Sequence, residues 1–141
     1  MPAGYSKRAL VDKLGLESGM RAHFAALPRE VERELGPLPD GVRRATALRG
    51  KFDYVHVFTA KRAELAKLLP KAKRALVPTG MVWVSWPKQS SGVPCDFTET
   101  DVRALAIANG LVDVKVCAVT EVWSGLKLVI PLKDRPGKPA R

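Results

Sequence analysis

The sequence predicts an α/β protein with a mostly parallel sheet flanked by helices. Two nearly continuous apolar runs, residues 52–59 and 81–86, are typical of strands that are covered by helices on both faces. Between them, residues 61–76 carry leucines and alanines at helical spacing. Alternating strands and helices with short connections indicate parallel neighbours joined by crossovers.

The first half of the chain predicts a helix, a strand and a second helix before the first long apolar run. Residues 7–14 space their apolar side chains as a helix does, and residues 20–27 favour a strand. Pro28 suits the first position of a helix, and acidic residues follow in its first turns. A loop rich in proline and glycine at 36–41 ends that helix. Residues 42–48 are ambiguous, and we interpret them as a weak edge strand.

The middle of the chain contains two signals that depend on proline. Pro70 lies inside the helical pattern of residues 61–76, which predicts either a kink or a second helix that begins there. The sequence Val-Pro-Thr-Gly at 77–80 predicts that the helix stops and the chain turns. The strand at 81–86 is the most apolar, and we expect it at the centre of the sheet.

The last part of the domain predicts one more helix and a hairpin. Thr98 or Thr100 can cap the helix. Asp101 follows Thr98 by three residues, and because it is not glutamate we expect no full capping box. Residues 113–119 and 126–130 predict a C-terminal antiparallel hairpin.

Length and composition indicate one domain in a chain of 141 residues. We expect the domain to span residues 1–131, followed by a basic, proline-rich tail at 132–141 that is predicted to be disordered. The sequence contains neither an apolar run of membrane-spanning length nor a signal-peptide core, so we expect a cytoplasmic location. Cys95 and Cys117 form neither a zinc motif nor a disulfide framework.

The charge balance is strongly basic, with 24 Lys and Arg against 14 Asp and Glu and a net charge of +10. Such a balance favours anionic partners, namely nucleic acid, phosphates or acidic protein surfaces, and we expect no membrane partner. A solvated basic surface, or a composition that favours arginine and alanine, would give the same excess. The sequence leaves these interpretations open, as it does the oligomeric state.

The later half of the chain resembles a Rossmann-like methyltransferase, in the strand Phe-Asp-Tyr-Val at 52–55, the helix end before Gly80 and the final hairpin. Three segments, 13–20, 84–93 and 110–127, more closely resemble an uncharacterised bacterial family, a domain of unknown function. This resemblance covers roughly residues 5–131. It implies a methyltransferase-like fold, and it implies no activity.

One expected feature of such a fold is missing from the sequence. Adenosylmethionine-binding sheets need glycine after the first strand, where backbone approaches the cofactor, and an acidic residue after the second strand for the ribose hydroxyls. Here the first position holds Leu-Pro-Arg at 27–29, and the second region offers Arg43, Arg44 and Arg49. We therefore expect no cofactor, and ordinary methyl transfer is disfavoured.

The predicted ligand site lies at the carboxyl edge of the sheet, where open α/β sheets bind their ligands. The loops expected there carry cations, hydroxyls and two tryptophans. They predict an anion-binding cleft formed by Arg29, Lys61, Lys88, Ser90, Ser91, Ser124, Trp86 and Trp123. A solvated loop edge is the alternative interpretation of the same residues.

The two tryptophans of this edge, Trp86 and Trp123, also have two interpretations. Aromatic side chains beside cations can stack on nucleic-acid bases. They can equally pack against the last helix while the indole N–H donates to a carbonyl, and we prefer this interpretation.

A second basic feature lies on the helix at 61–76. Lys67, Lys71 and Arg74 are spaced at i, i+4 and i+7, away from Leu68 and Ala72. This stripe predicts contact with nucleic-acid phosphates, and a solubilising helix face is the alternative. A kink at Pro70 would break the alignment.

No catalytic or metal-binding residues are predicted. Ser85, His56 and Asp53 are the types of residue a hydrolase uses, but all three lie within strands, and we interpret His56 as a core histidine. The leading hypothesis is a non-catalytic binding or regulatory module for an anionic ligand or partner. A nucleic-acid-binding protein that uses the basic helix and the tail, and an atypical transferase, are the alternatives.

Overall fold

A computed structural model describes residues 9–135 of the chain, in which six strands form one sheet in the order β2-β1-β3-β4-β6-β5. The strands are β1 (Arg21–Ala25), β2 (Arg43–Ala45), β3 (Phe52–Phe58), β4 (Leu76–Pro87), β5 (Val112–Ala118) and β6 (Trp123–Val129). The helices are α1 (Leu10–Leu14), α2 (Arg29–Leu35), α3 (Arg62–Arg74) and α4 (Glu99–Ala108). The predicted α/β class is confirmed, and so is the central place of the strand at 81–86, which belongs to β4 and lies beside β3.

The sheet is parallel except at β6. Strand β1 pairs in parallel with β2 and β3, and β3 pairs in parallel with β4. Strand β6 is antiparallel to both β4 and β5, so β5 runs in the same direction as β4. The predicted C-terminal hairpin is present. Its antiparallel strand is inserted inside the sheet, and the edge strand β5 follows the parallel direction.

Two hydrophobic clusters cover the two faces of this sheet. The first packs α3 and α4 against one face, through Leu65, Leu69 and Val102 among others. The second packs α1 and α2 against the opposite face, around Tyr54 and Trp83. Alternate residues of the central strands therefore contribute to different clusters, as the period of two in a strand requires.

Strand β4 is longer than the sequence predicts, and the expected turn at residues 77–80 is wrong. Phe52 pairs with Leu76, whereas Tyr54 pairs with Met81, so residues 77–80 bulge out of register without partners in β3. A bulge accepts a proline because it does not need the missing N–H. The Val-Pro-Thr-Gly sequence therefore bends a strand that continues through it.

Helix α3 continues past Pro70 and ends at Arg74, so no second helix begins at the proline. Leu65, Leu69 and Ala72 are buried against the sheet. This packing stabilises the helix across the position where the proline removes one backbone hydrogen bond.

The short elements of the first half lie close to their predicted positions. Pro28 is the N-cap of α2 rather than its first helical residue, and β2 is an edge strand, as predicted.

At α4, Thr98 is the N-cap and forms a full capping box with Asp101, so the expectation of an incomplete box is wrong. The shorter aspartate still accepts from the Thr98 backbone N–H at 2.8 Å.

The hairpin and the segment after it differ in detail from the prediction. Strand β6 begins at Trp123, three residues earlier than expected. Leu132–Asp134 form a 3-10 turn, and Arg135 Nε donates to the Ile130 carbonyl. Residues 136–141 lie outside the described residues, so the disorder expected for the tail stays a prediction.

Candidate functional site

An open cleft of about 920 Å³ lies beside the carboxyl end of β4. It is lined by residues 86–89, 92–93 and 95–99, together with Asp101 and Ser124. These residues come from the end of β4, the loop that leads to α4, the first turn of α4 and the start of β6. The predicted location of a ligand site, at the carboxyl edge of the sheet, thus coincides with a cleft.

The loop after β4 is held by short-range hydrogen bonds that position Lys88. Gln89–Ser91 form a 3-10 turn that ends at Gly92 in the left-handed region. Ser91 Oγ donates to the Lys88 carbonyl at 2.6 Å and accepts from the Val93 N–H. The Lys88 N–H donates to the Val122 carbonyl at 2.7 Å. Both backbone groups of Lys88 are therefore fixed.

Three carboxylates line the cleft, and each is already engaged. Asp96 Oδ1 accepts from the Arg62 N–H at the start of α3 at 2.6 Å, and the Asp96 N–H donates to the Ala60 carbonyl. Glu99 pairs with Arg103, and Asp101 belongs to the capping box of α4. Asp96 and Asp101 therefore stabilise helix starts, where negative charge is favourable, and they tie the loop to α3 and α4.

Lys88 is the cation among the described residues that line this cleft, and its ammonium forms no hydrogen bond or ion pair with any of residues 9–135. Trp86 and Phe97 form the buried floor, with their ring centroids 6.3 Å apart. Ser124 pairs with Trp86 across the β4–β6 ladder and adds a hydroxyl on the same face. The cleft thus offers one ammonium, hydroxyls and an apolar floor.

Of the eight residues predicted for this site, three line the cleft: Trp86, Lys88 and Ser124. Ser91 does not line the cleft, and its hydroxyl stabilises the loop by donating to the Lys88 carbonyl. Arg29 begins α2, Lys61 is the N-cap of α3, and both are exposed outside the lining, as is Ser90. Of the three cations predicted for this site, Arg29, Lys61 and Lys88, the cleft therefore contains Lys88 alone.

Trp123 lies on the opposite face of the sheet from Trp86. Its indole N–H donates to Glu30 Oε2 of α2 at 3.2 Å, and its ring meets Phe58 edge-on at 5.5 Å. The preferred interpretation, packing against the last helix with a carbonyl acceptor, is wrong for Trp123. The sheet separates the two tryptophans because β6 starts with Trp123 opposite Pro87 rather than opposite Trp86.

Sequence reasoning missed most of the wall formed by residues 93–99. The signal available was the long connection between β4 and α4, which must fold back over the carboxyl edge. Acidic residues are also usual at a helix start, so their presence in this connection does not by itself predict a cleft wall. The Cys95 thiol donates to the Phe97 carbonyl, and burial is the main cause that raises its pKa. The thiol is therefore protonated near neutral pH.

The turn after β1 is the place where an adenosyl cofactor would meet the backbone in a fold of this kind. Ala26 adopts φ of 58° there, in the left-handed region that favours glycine. Its methyl group occupies space that a glycine would leave open to a ligand. Pro28 follows as the N-cap of α2 and has no N–H to offer.

The end of β2 lacks the second feature of such a cofactor site. The strand ends at Ala45, and Thr46 and Ala47 follow it, so no carboxylate stands where ribose hydroxyls would bind. Arg44, earlier in the strand, forms an ion pair with Glu32 at 2.9 Å. The residues present at the ends of β1 and β2 do not fit an adenosylmethionine site of the usual form.

A chain of hydrogen bonds lies buried on the sheet face that α1 and α2 cover, away from the cleft. His56 Nδ1 and Tyr54 Oη are 2.8 Å apart, and His56 Nε2 and Ser85 Oγ are also 2.8 Å apart. Burial lowers the pKa of His56 to about 3, so the ring is neutral at physiological pH. Asp53 takes no part and accepts instead from the Arg21 N–H. The interpretation of His56 as a core histidine is confirmed.

No group of three or more histidine, cysteine, aspartate or glutamate side chains in residues 9–135 is placed to hold a metal ion. Within the same range, no helix has both the length and the apolar character needed to cross a membrane.

No family model and no curated protein matches the chain. Among solved structures, it is similar to magnesium protoporphyrin IX methyltransferase from Synechocystis PCC 6803 with bound SAM, at 12% identity over 86% of this chain and 74% of that one, with a TM-score of 0.59. A SAM-dependent methyltransferase from Aquifex aeolicus matches at 14% identity over 86% and 88%, with a TM-score of 0.59.

A third match is the tRNA methyltransferase TrmK from B. subtilis, at 13% identity over 94% of this chain and 69% of that one, with a TM-score of 0.53. Likeness at these identities concerns the fold alone. The chain has a Rossmann-like, methyltransferase-like fold, as the sequence predicts.

Proposed function

We propose that this protein is a non-catalytic binding module with a degenerate methyltransferase-like fold, and that its ligand binds in the cleft at the end of β4. The observation that carries the proposal is a contrast between two places on the carboxyl edge of the sheet, the ends of β1 and β2 on one side and the end of β4 on the other. The turn at Ala26 and the end of β2 lack the groups that hold an adenosyl cofactor. The cleft combines an apolar floor with Lys88, whose ammonium forms no hydrogen bond or ion pair with the described residues.

The lining favours a small ligand with one anionic group rather than a polyanion. Asp96, Glu99 and Asp101 surround the cleft and would repel a second negative charge close to them. A single phosphate or carboxylate at Lys88 avoids this repulsion and gains a charge-assisted hydrogen bond. An apolar body can then lie along Trp86, Phe97 and Val93. A volume of about 920 Å³ is within the usual range for small-molecule sites.

Two nucleophile and base candidates are poorly suited to chemistry, which supports binding over catalysis. The Cys95 thiol is protonated near neutral pH because burial raises its pKa. His56 is fully buried, and both of its ring nitrogens already have partners. Neither residue supplies an activated group to the cleft.

An atypical transferase is the second candidate, and one observation favours it. Ala26 retains the left-handed turn that a glycine would form after β1, although it carries a methyl group. The structural neighbours include a methyltransferase with bound SAM. Membership of the uncharacterised bacterial family and a cytoplasmic location stay predictions beside either candidate.

The proposal is tested by titrating the full chain with inorganic phosphate, adenosine monophosphate and phenylacetate, with calorimetry as the readout. Lys88→Gln should weaken binding of the best probe about tenfold or more, since a charged hydrogen bond contributes roughly 1.5–3 kcal/mol. Lys61→Gln is the matched control, because it removes a lysine at the same edge but outside the cleft. Equal losses in both variants, or no binding of any probe at millimolar concentration, would contradict the proposal.

A further inference from the structure

The outer surface of α3 carries a row of cations that the cleft does not use. Lys67, Lys71 and Arg74 are exposed, and within the described part of the chain their side chains form no hydrogen bond or ion pair. At 100° per residue they fall within about 60° of the helix circumference, opposite the buried Leu65 and Leu69. Because α3 continues through Pro70, the three side chains share one face.

The row continues onto the amino edge of the sheet through direct contacts. Lys51 Nζ donates to the Arg74 carbonyl at 2.8 Å, at the end of α3. Arg21 Nη1 donates in turn to the Lys51 carbonyl at 2.9 Å, while its guanidinium lies 4.1 Å from the centroid of Phe52. We call Lys67, Lys71, Arg74, Lys51 and Arg21 the basic stripe.

Few carboxylates oppose this stripe. Glu64 is the acidic residue within α3, and it accepts from the Thr59 hydroxyl at its first turn. Asp53 accepts the Arg21 backbone N–H and lies beside the end of the stripe. The basic residues of the stripe therefore outnumber the carboxylates in contact with its elements. Lys51 and Arg21 are held in place by hydrogen bonds, which lowers the entropy lost on binding.

We propose that the basic stripe binds the phosphodiester backbone of a nucleic acid, independently of the cleft at β4. The three cations of α3 span about 10 Å along the helix axis. A duplex presents one negative charge per about 1.7 Å of its axis. The three cations, which span about 10 Å, can therefore face several phosphates at once. Contacts of this kind recognise the backbone and not the base sequence.

The test is a titration of duplex DNA, duplex RNA and single-stranded RNA with the full chain, at salt concentrations from 50 to about 200 mM. Fluorescence anisotropy gives the affinity, and the three nucleic acids distinguish the source of the phosphates. The slope of log affinity against log salt is negative, and its steepness grows with the number of phosphate contacts. The double variant Lys67→Gln with Lys71→Gln should therefore make the slope less steep by about 2.

The matched control removes two exposed cations elsewhere, Arg33→Gln with Lys133→Gln, and should leave the slope unchanged. Circular dichroism confirms that both double variants remain folded. An equal change of slope in the two variants, no change in either, or no binding of any of the three nucleic acids overturns the proposal.

Discussion

Ala26, in the turn after β1, is the one non-glycine residue among residues 9–135 that has a positive φ. Its φ of 58° is a conformation that costs an L-residue roughly 1–2 kcal/mol relative to a right-handed one. The sequence shows that glycine is absent after the first strand, but only the structure shows that the left-handed turn remains. A methyl group on that turn occupies space where an adenosyl cofactor would approach the backbone.

His56 sets a pH dependence that can be measured. Its pKa is lowered to about 3 by burial, while in the unfolded chain it lies near 6.5. The unfolded state therefore binds more protons below about pH 6.5, and the free energy of unfolding falls as pH decreases from 6.5 towards 3.

Urea denaturation should show this loss, about 1.4 kcal/mol from His56 between pH 7.5 and pH 5.5. His56→Gln removes the titrating group and can replace part of the hydrogen bonding with Tyr54 and Ser85. The variant should lose less stability than the wild type over the same interval. An identical pH dependence in both proteins would exclude His56 as its source.

At the scale of elements, strong periodic patterns predicted β3, α3, the core of β4 and α4, because apolar spacing fixes how each segment is buried. Two of the exceptions, at residues 77–80 and at Pro70, share one cause, which is that partners distant in sequence decide the local structure. Residues 77–80 stay in β4 because they bulge from its register with β3, and α3 tolerates Pro70 because the sheet packs against it.

The candidate site follows the same division. Lys88, Trp86 and Ser124 were predictable because they lie at the end of a predicted strand or in the loops expected at the carboxyl edge. The remaining wall was not, since Asp96 reaches the start of α3 from a loop 34 residues away in sequence. Which face Trp123 occupies depends on the β4–β6 register, which no local pattern specifies.

The capping box of α4 provides a test at this scale. Thr98→Ala removes a side chain that accepts from the Asp101 N–H at the first turn of the helix beside the cleft. The free energy of unfolding should fall by about 1 kcal/mol, as is usual for a lost N-cap. Thr100→Ala, at an exposed position of the same turn, is the control and should change stability by less than about 0.5 kcal/mol. A larger loss in the control would contradict the capping account.

At the scale of the whole molecule, the excess positive charge is unevenly arranged. The cleft at the carboxyl edge combines three carboxylates with one lysine, whereas the basic stripe follows α3 and the amino edge. The net charge of +10 predicted anionic partners without indicating a surface. The fold thus places the two candidate binding surfaces, the cleft and the basic stripe, in different parts of the molecule.

If the cleft, and not the turn at Ala26, is the ligand site, the sheet should bind no adenosyl cofactor at β1. Calorimetric titration of adenosylmethionine and its demethylated product into the full chain measures this binding. The account predicts no saturable binding of either compound up to roughly 1 mM, weaker than about −4 kcal/mol. Saturable binding at micromolar concentration that is weakened by Ala26→Val would contradict it.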